Sequence, residues 1–217
     1  MRRSRFSLAA LVLTATLGRG APLEAQRNPT LDVVLPAPSL LDREGPLVQA
    51  RDMLNGARIR EPLAAGFPAR FHFRVDLYTE GLLNQLERTV EYDMLVRRIA
   101  LENVYEVLLL IDRPFSLGKF AKIEDAEAAV ARRTRVPITA LRTKRKMYYK
   151  VTLEVQVIES SDLDEVDRWL RGNIESPLKG RTNPGTALTR GLRSIAAKLL
   201  GGESRQYDVT SPSFKLP

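Results

Sequence analysis

From Ala69 to Tyr78, apolar and polar residues alternate. Phe71, Phe73, Val75 and Leu77 fall on one side, and Arg70, His72, Arg74, Asp76 and Tyr78 on the other. A period of two predicts a half-buried strand of the antiparallel kind. Tyr148 to Ile158 repeats the pattern, with Tyr149, Val151, Leu153, Val155 and Val157 opposite Lys150, Thr152, Glu154 and Gln156. Between the two, Thr89 to Val96 alternates through Val90, Tyr92, Met94 and Val96, and Val104 to Ile111 is more continuously apolar, as in a central strand. Arg135 to Leu141 reads as an edge strand, because Pro137 has no N–H to give to a ladder. Residues 47–54 fit either strand or helix. Asn55-Gly56 behind them tolerates the positive φ of a tight turn and so favours strand.

Helices are expected in four places. Arg58 to Ala65 is short, stopped by Gly66 and kept from resuming by Pro68. Residues 123–133 are rich in Ala and Glu, with acids first and Arg last, which suits the helix dipole. Residues 162–171 follow Ser160-Ser161 and carry Asp162, Asp164 and Glu165 in the first turn. Residues 184–200 begin with Asn183 as cap and Pro184 as first residue, and Leu188, Leu192, Ile195, Leu199 and Leu200 form a stripe ended by Gly201-Gly202. The tail 205–216 is expected to pair as a last strand, with Tyr207, Val209 and Ser211 on one side.

The strand–helix–strand rhythm of a parallel sheet is missing. The expectation is a mainly β fold, β-rich α+β: an antiparallel, sandwich-like sheet with a few helices, including a C-terminal amphipathic helix packed on it. The N-terminus reads as an address. Arg2, Arg3 and Arg5 precede an uncharged apolar run from Phe6 to Leu17, too short for the ~20 residues of a bilayer span. Leu23-Glu24-Ala25 offers small or aliphatic residues for signal peptidase, so residues 1–25 are expected to be a signal peptide cleaved after Ala25. With no Cys in the chain, a lipoprotein anchor is excluded. Residues 26–45, interrupted by Pro36 and Pro38, are expected to be a linker, with Leu31 to Leu35 as a short edge strand at most. Residues 46–217 are expected to form a single antiparallel β-rich domain, without a transmembrane span in the mature chain.

This order of elements, with particular residues in it, resembles a known family. The residues are Ala65-Gly66-Phe67-Pro68 before the alternating strand, Val90-Glu91-Tyr92-Asp93, Tyr105-Glu106-Val107, Phe120 leading to Ala126-Glu127-Ala128, and Tyr148-Tyr149. The chain resembles, over about residues 47–158, the exported bacterial family of unknown function numbered 4390. The resemblance implies a cell-envelope location and a non-enzymatic role, and it assigns no site residues.

Composition narrows the chemistry. The 217 residues hold 34 Lys+Arg against 26 Asp+Glu, a net +8, with one His and no Cys. Removing residues 1–25, which carry four Arg against Glu24, leaves +5, modest for a nucleic-acid binder. Thiol catalysis, zinc fingers and iron–sulfur sites are excluded. His72 is the sole imidazole for acid–base work, and it is expected to face solvent between Arg70 and Arg74. Asp162, Asp164, Glu165 and Asp167 lack the central glycine of a calcium loop and read as helix-start acids, and Trp169 reads as core. No phosphate loop or nucleophile elbow is present. No catalytic residue, metal ligand or cofactor is assigned.

The strongest surface signal is residues 132–150. Arg132, Arg133, Arg135, Arg142, Lys144, Arg145, Lys146 and Lys150 occur there with no acid among them, beside Tyr148 and Tyr149. Arg142, Lys144, Arg145, Lys146 and Lys150 are the candidate site for an anionic surface, with Arg142 to Lys146 expected at a hairpin tip. A solvated hairpin end whose charges protect a sheet edge is the plainer reading of the same residues. The functional expectation is an exported, periplasmic or envelope-associated accessory module. Its partner would be an envelope protein or an anionic lipid or polymer, and no nucleic acid is expected. The alternative is a carboxylate-dependent hydrolase or transferase acting on envelope polymers, which needs two acids converging in a cleft.

Overall fold

The computed structural model describes residues 29–111, 114–158 and 205–216. The expected leader, the helices at 162–171 and 184–200, the acidic cluster and Trp169 lie outside them.

In chain order the elements are β1 (Thr30–Val34), β2 (Leu47–Arg51), α1 (Ala57–Ala64), β3 (Ala69–Thr79), β4 (Gln85–Ile99), β5 (Val104–Leu110), β6 (Pro114–Phe120), α2 (Ile123–Val130), β7 (Thr134–Arg135), β8 (Met147–Val157) and β9 (Arg205–Thr210). They form a three-stranded sheet in the order β1-β2-β7 and a six-stranded sheet in the order β6-β5-β4-β3-β8-β9. Every pairing is antiparallel. The fold is mainly β, as the alternation requires.

β3 lies between β4 and β8, with Phe73 opposite both Tyr92 and Leu153. The inward face of this sheet carries Phe71, Phe73, Val75, Leu77, Tyr92, Met94, Val151 and Leu153, and one core joins them to Val48 and Ala50 of β2 and to Ala126, Ala129 and Val130 of α2. The rings of Phe73 and Tyr92 stack with centroids 4.7 Å apart. The small sheet and α2 thus supply the second layer that a one-sided apolar sheet needs.

Local structure departs from expectation in five places. Residues 26–45 do not form a linker where they are described, because β1 pairs along its length with β2 and Leu41 is buried in the core. β1 is the edge strand that the apolar run at Leu31 allowed. β6 was not anticipated; Gly118, at φ +139°, sits at the register shift where it pairs with β5. Helix α2 ends at Val130, three residues short of the expected limit. Of Arg135 to Leu141 only Arg135 is in a strand, as the second residue of the two-residue β7. Beyond it, Val136, Ile138 and Ala140 still alternate into the core, but as an irregular connector. That connector is tied by Val136 N–H to the Pro46 carbonyl at 3.0 Å, and by Ala140 N–H to the Leu41 carbonyl at 3.1 Å. Asn55-Gly56 also does not close a hairpin: Gly56 is the N-cap of α1.

Candidate functional site

Residues 142–146 run from the connector into β8. They therefore link the two sheets and are not a hairpin tip, which corrects the expectation. The link is held at both ends. The Ile138 carbonyl accepts the buried Tyr149 hydroxyl at 3.1 Å, and the Lys146 carbonyl accepts the Glu80 N–H at 2.8 Å. Arg142, Lys144, Arg145 and Lys146 are exposed. Among the described residues, Arg142 lies 3.8 Å from the carboxylate of Asp42, a loose contact for a side chain 89% exposed. Lys150, on the strand itself, lies 3.8 Å from Asp208. Such exposed pairs contribute roughly 0–1 kcal/mol, so these cations remain available to a larger anion. The site as expected is therefore divided: Arg142 to Lys146 share one loop, while Lys150 faces β9.

Beside the loop, an open groove of about 560 Å³ is lined by Pro38, Asp42, Arg43, Arg142, Lys144 and Leu216, among others. Among the described residues, cations dominate its charged lining, and Asp42 is the one carboxylate there. This is not the paired-acid cleft that the hydrolase or transferase alternative requires. Glu127, a carboxyl whose pKa burial raises above the ordinary 4.5, is committed elsewhere. Its two oxygens accept the N–H groups of Met53 at 3.0 Å and Leu54 at 2.6 Å. Glu127 therefore clamps the turn after β2, where Asp52 has φ 60°.

His72 is not solvent-facing. On the outer face of the large sheet, Asp93 is 1% exposed and accepts from Arg70 Nε at 2.8 Å, while His72 Nδ1 lies 3.0 Å from the same oxygen. Gln156 accepts from Arg70 Nη1 at 3.3 Å. The register explains the cluster, since Asp93 sits opposite His72, and Gln156 opposite Arg70. Next to it, Leu95, Leu108 and Leu110 are also buried. Among the described residues, no group of three His, Asp or Glu side chains is placed to hold a metal, and no helix is long and apolar enough to cross a membrane.

The chain matches no family model, no curated protein and no solved structure.

Sequence reasoning missed one feature at this end of the molecule. The turn between β3 and β4 carries Leu82 and Leu83, which are 105% and 87% exposed. Two adjacent leucines between alternating strands were the available signal. Tyr78 and Tyr148, half-buried on neighbouring strands, stack at 5.3 Å just behind the turn.

Proposed function

We propose that this protein is an exported, non-enzymatic accessory module of the cell envelope that docks on an anionic surface through Arg142, Lys144, Arg145 and Lys146, with Lys150 at the margin. One observation carries the reading: four exposed cations stand within five residues on a loop whose backbone is fixed at both ends, so charge is presented in a preset array. A fixed array loses less conformational freedom on binding than a mobile tail does. The apolar run with its basic flank at residues 1–25, and the resemblance to the exported family, support the location.

Each Lys or Arg near an anionic leaflet contributes about 1 kcal/mol, and the attraction fades beyond a Debye length. The test is cosedimentation with vesicles containing phosphatidylglycerol, alongside retention on dextran sulfate. Replacing Arg142, Lys144, Arg145 and Lys146 together by Glu is expected to lower both by more than a hundredfold. Equal retention of this variant and the parent would remove the loop from the account.

A further inference from the structure

We infer that the anionic surface is a lipid bilayer, and that the β3–β4 turn enters its interface with Leu82 and Leu83 while the cationic loop holds the headgroups. The inference rests on the reading above and adds the occupant. Thr79 is the last β3 residue of the ladder, opposite Gln85 on one side and Met147 on the other. The turn 80–84 and the loop 142–146 therefore leave the same end of adjacent strands, and the hydrogen bond from Glu80 N–H to the Lys146 carbonyl ties them together. Leu82 and Leu83 are almost wholly in water, where an apolar side chain with no partner contributes nothing to folding. A two-residue reach beyond the ladder is about 7 Å, within the 5–10 Å that interfacial apolar side chains penetrate.

The surroundings suit that depth. The stacked pair Tyr78–Tyr148 stands behind the leucines, with apolar bodies and polar tips of the kind that collect at headgroup level. Two carboxylates near the turn are engaged within the protein: Glu80 accepts from the Ser213 hydroxyl, and Glu87 from the Thr79 hydroxyl at 2.7 Å. A soluble polyanion would be served by the cations alone. The adjacent leucines are what favour a surface with an apolar interior. Leu101, 102% exposed in the β4–β5 turn at the far end of β4, provides an internal comparison. Its neighbour Glu102 is paired with Lys119 at 2.8 Å.

The chain has no cysteine, so a single Leu83→Cys or Leu101→Cys variant takes one environment-sensitive fluorophore at a chosen turn. With phosphatidylglycerol vesicles, the label at position 83 is expected to shift to the blue and to be quenched by brominated acyl chains, while the label at 101 stays in water. The double variant Leu82→Ser/Leu83→Ser is expected to lose about a hundredfold in vesicle partition, about tenfold per leucine, and to keep full retention on dextran sulfate. Unquenched label at 83, or vesicle binding by the double variant equal to the parent, would overturn the insertion while leaving the anionic-surface reading intact. Loss of dextran sulfate retention by the double variant would count against the inference too, by tying the leucines to polyanion binding. A parent protein that binds neither vesicles nor dextran sulfate would overturn both.

Discussion

Removing either member of the Arg70–Asp93 pair should damage the fold more than removing both. The side chains are 4% and 1% exposed, and the contact is a charge-assisted hydrogen bond of 2.8 Å. Asp93→Leu would leave the guanidinium of Arg70 buried with, among the described residues, only Gln156 at 3.3 Å and the ring of His72 nearby. Arg70→Met would leave a buried carboxylate with His72 as its one side-chain partner among the described residues. Stranding one charge of a buried pair costs about 3–5 kcal/mol. For a domain of this size, 1 kcal/mol moves Tm by about 2–4 °C, so each single variant should melt roughly 6–20 °C lower. The double variant Arg70→Met/Asp93→Leu strands no charge, and it costs only the neutral hydrogen bonds of Gln156 and His72 to the pair. It also extends an apolar surface, because Leu95 lies opposite Arg70 and Leu108, and Leu110 lies opposite Asp93. Replacing a whole buried pair is often neutral or stabilising. The double variant should therefore be more stable than either single one, whereas additivity would place it at least about 6 kcal/mol below the parent. Urea denaturation of the four proteins, with the slope checked for constancy, measures the cycle. Additive losses, or single losses under about 1 kcal/mol, would refute the view that the pair is a desolvated, mutually dependent unit.

Gly45→Ala is expected to cost about 3 kcal/mol, because its Cβ would run into the Val136 carbonyl oxygen and lie 2.8 Å from that of Ile138, both backbone atoms of the tied connector; an unchanged melting temperature would refute the close packing. The Tyr92 hydroxyl is buried with no hydrogen-bond partner among the described residues, and burial pushes its pKa well up. Tyr92→Phe should accordingly raise stability by about 1 kcal/mol in urea titration, and a loss of that size would reveal a missed partner. Glu127 binds its proton more tightly folded than unfolded, because burial raises its pKa above 4.5. Its protonation therefore stabilises the fold below about pH 4.5, and that contribution is lost as pH rises through the folded pKa. The stability of the parent relative to Glu127→Gln should fall as pH rises from 4.5, and a rising difference would reverse the assignment.

The sequence by itself determined the antiparallel, mainly β character. Period-two alternation at Ala69–Tyr78 and Tyr148–Ile158 dictates which side chains face inward, and a one-residue slip would reverse every one of them. The stop of α1 at Gly66, at φ +95°, and the last strand around Tyr207 and Val209 were legible for similarly local reasons. Segments whose fate depends on distant partners were not. Pro137 marked an interrupted strand, but only the ties to Pro46 and Leu41 made the connector irregular and put the cations of residues 142–146 on a link between sheets. His72 alternated as a polar residue and so read as solvent-facing. Its place beside a buried ion pair depends on the β3–β4 register, which brings Asp93 opposite it across 21 positions of sequence. Leu82 and Leu83 were legible as residues but not as a surface, since only the adjacency of β3 and β8 sets their turn beside the cationic loop. Local periodicity fixes which face a residue takes; long-range pairing fixes what it meets there.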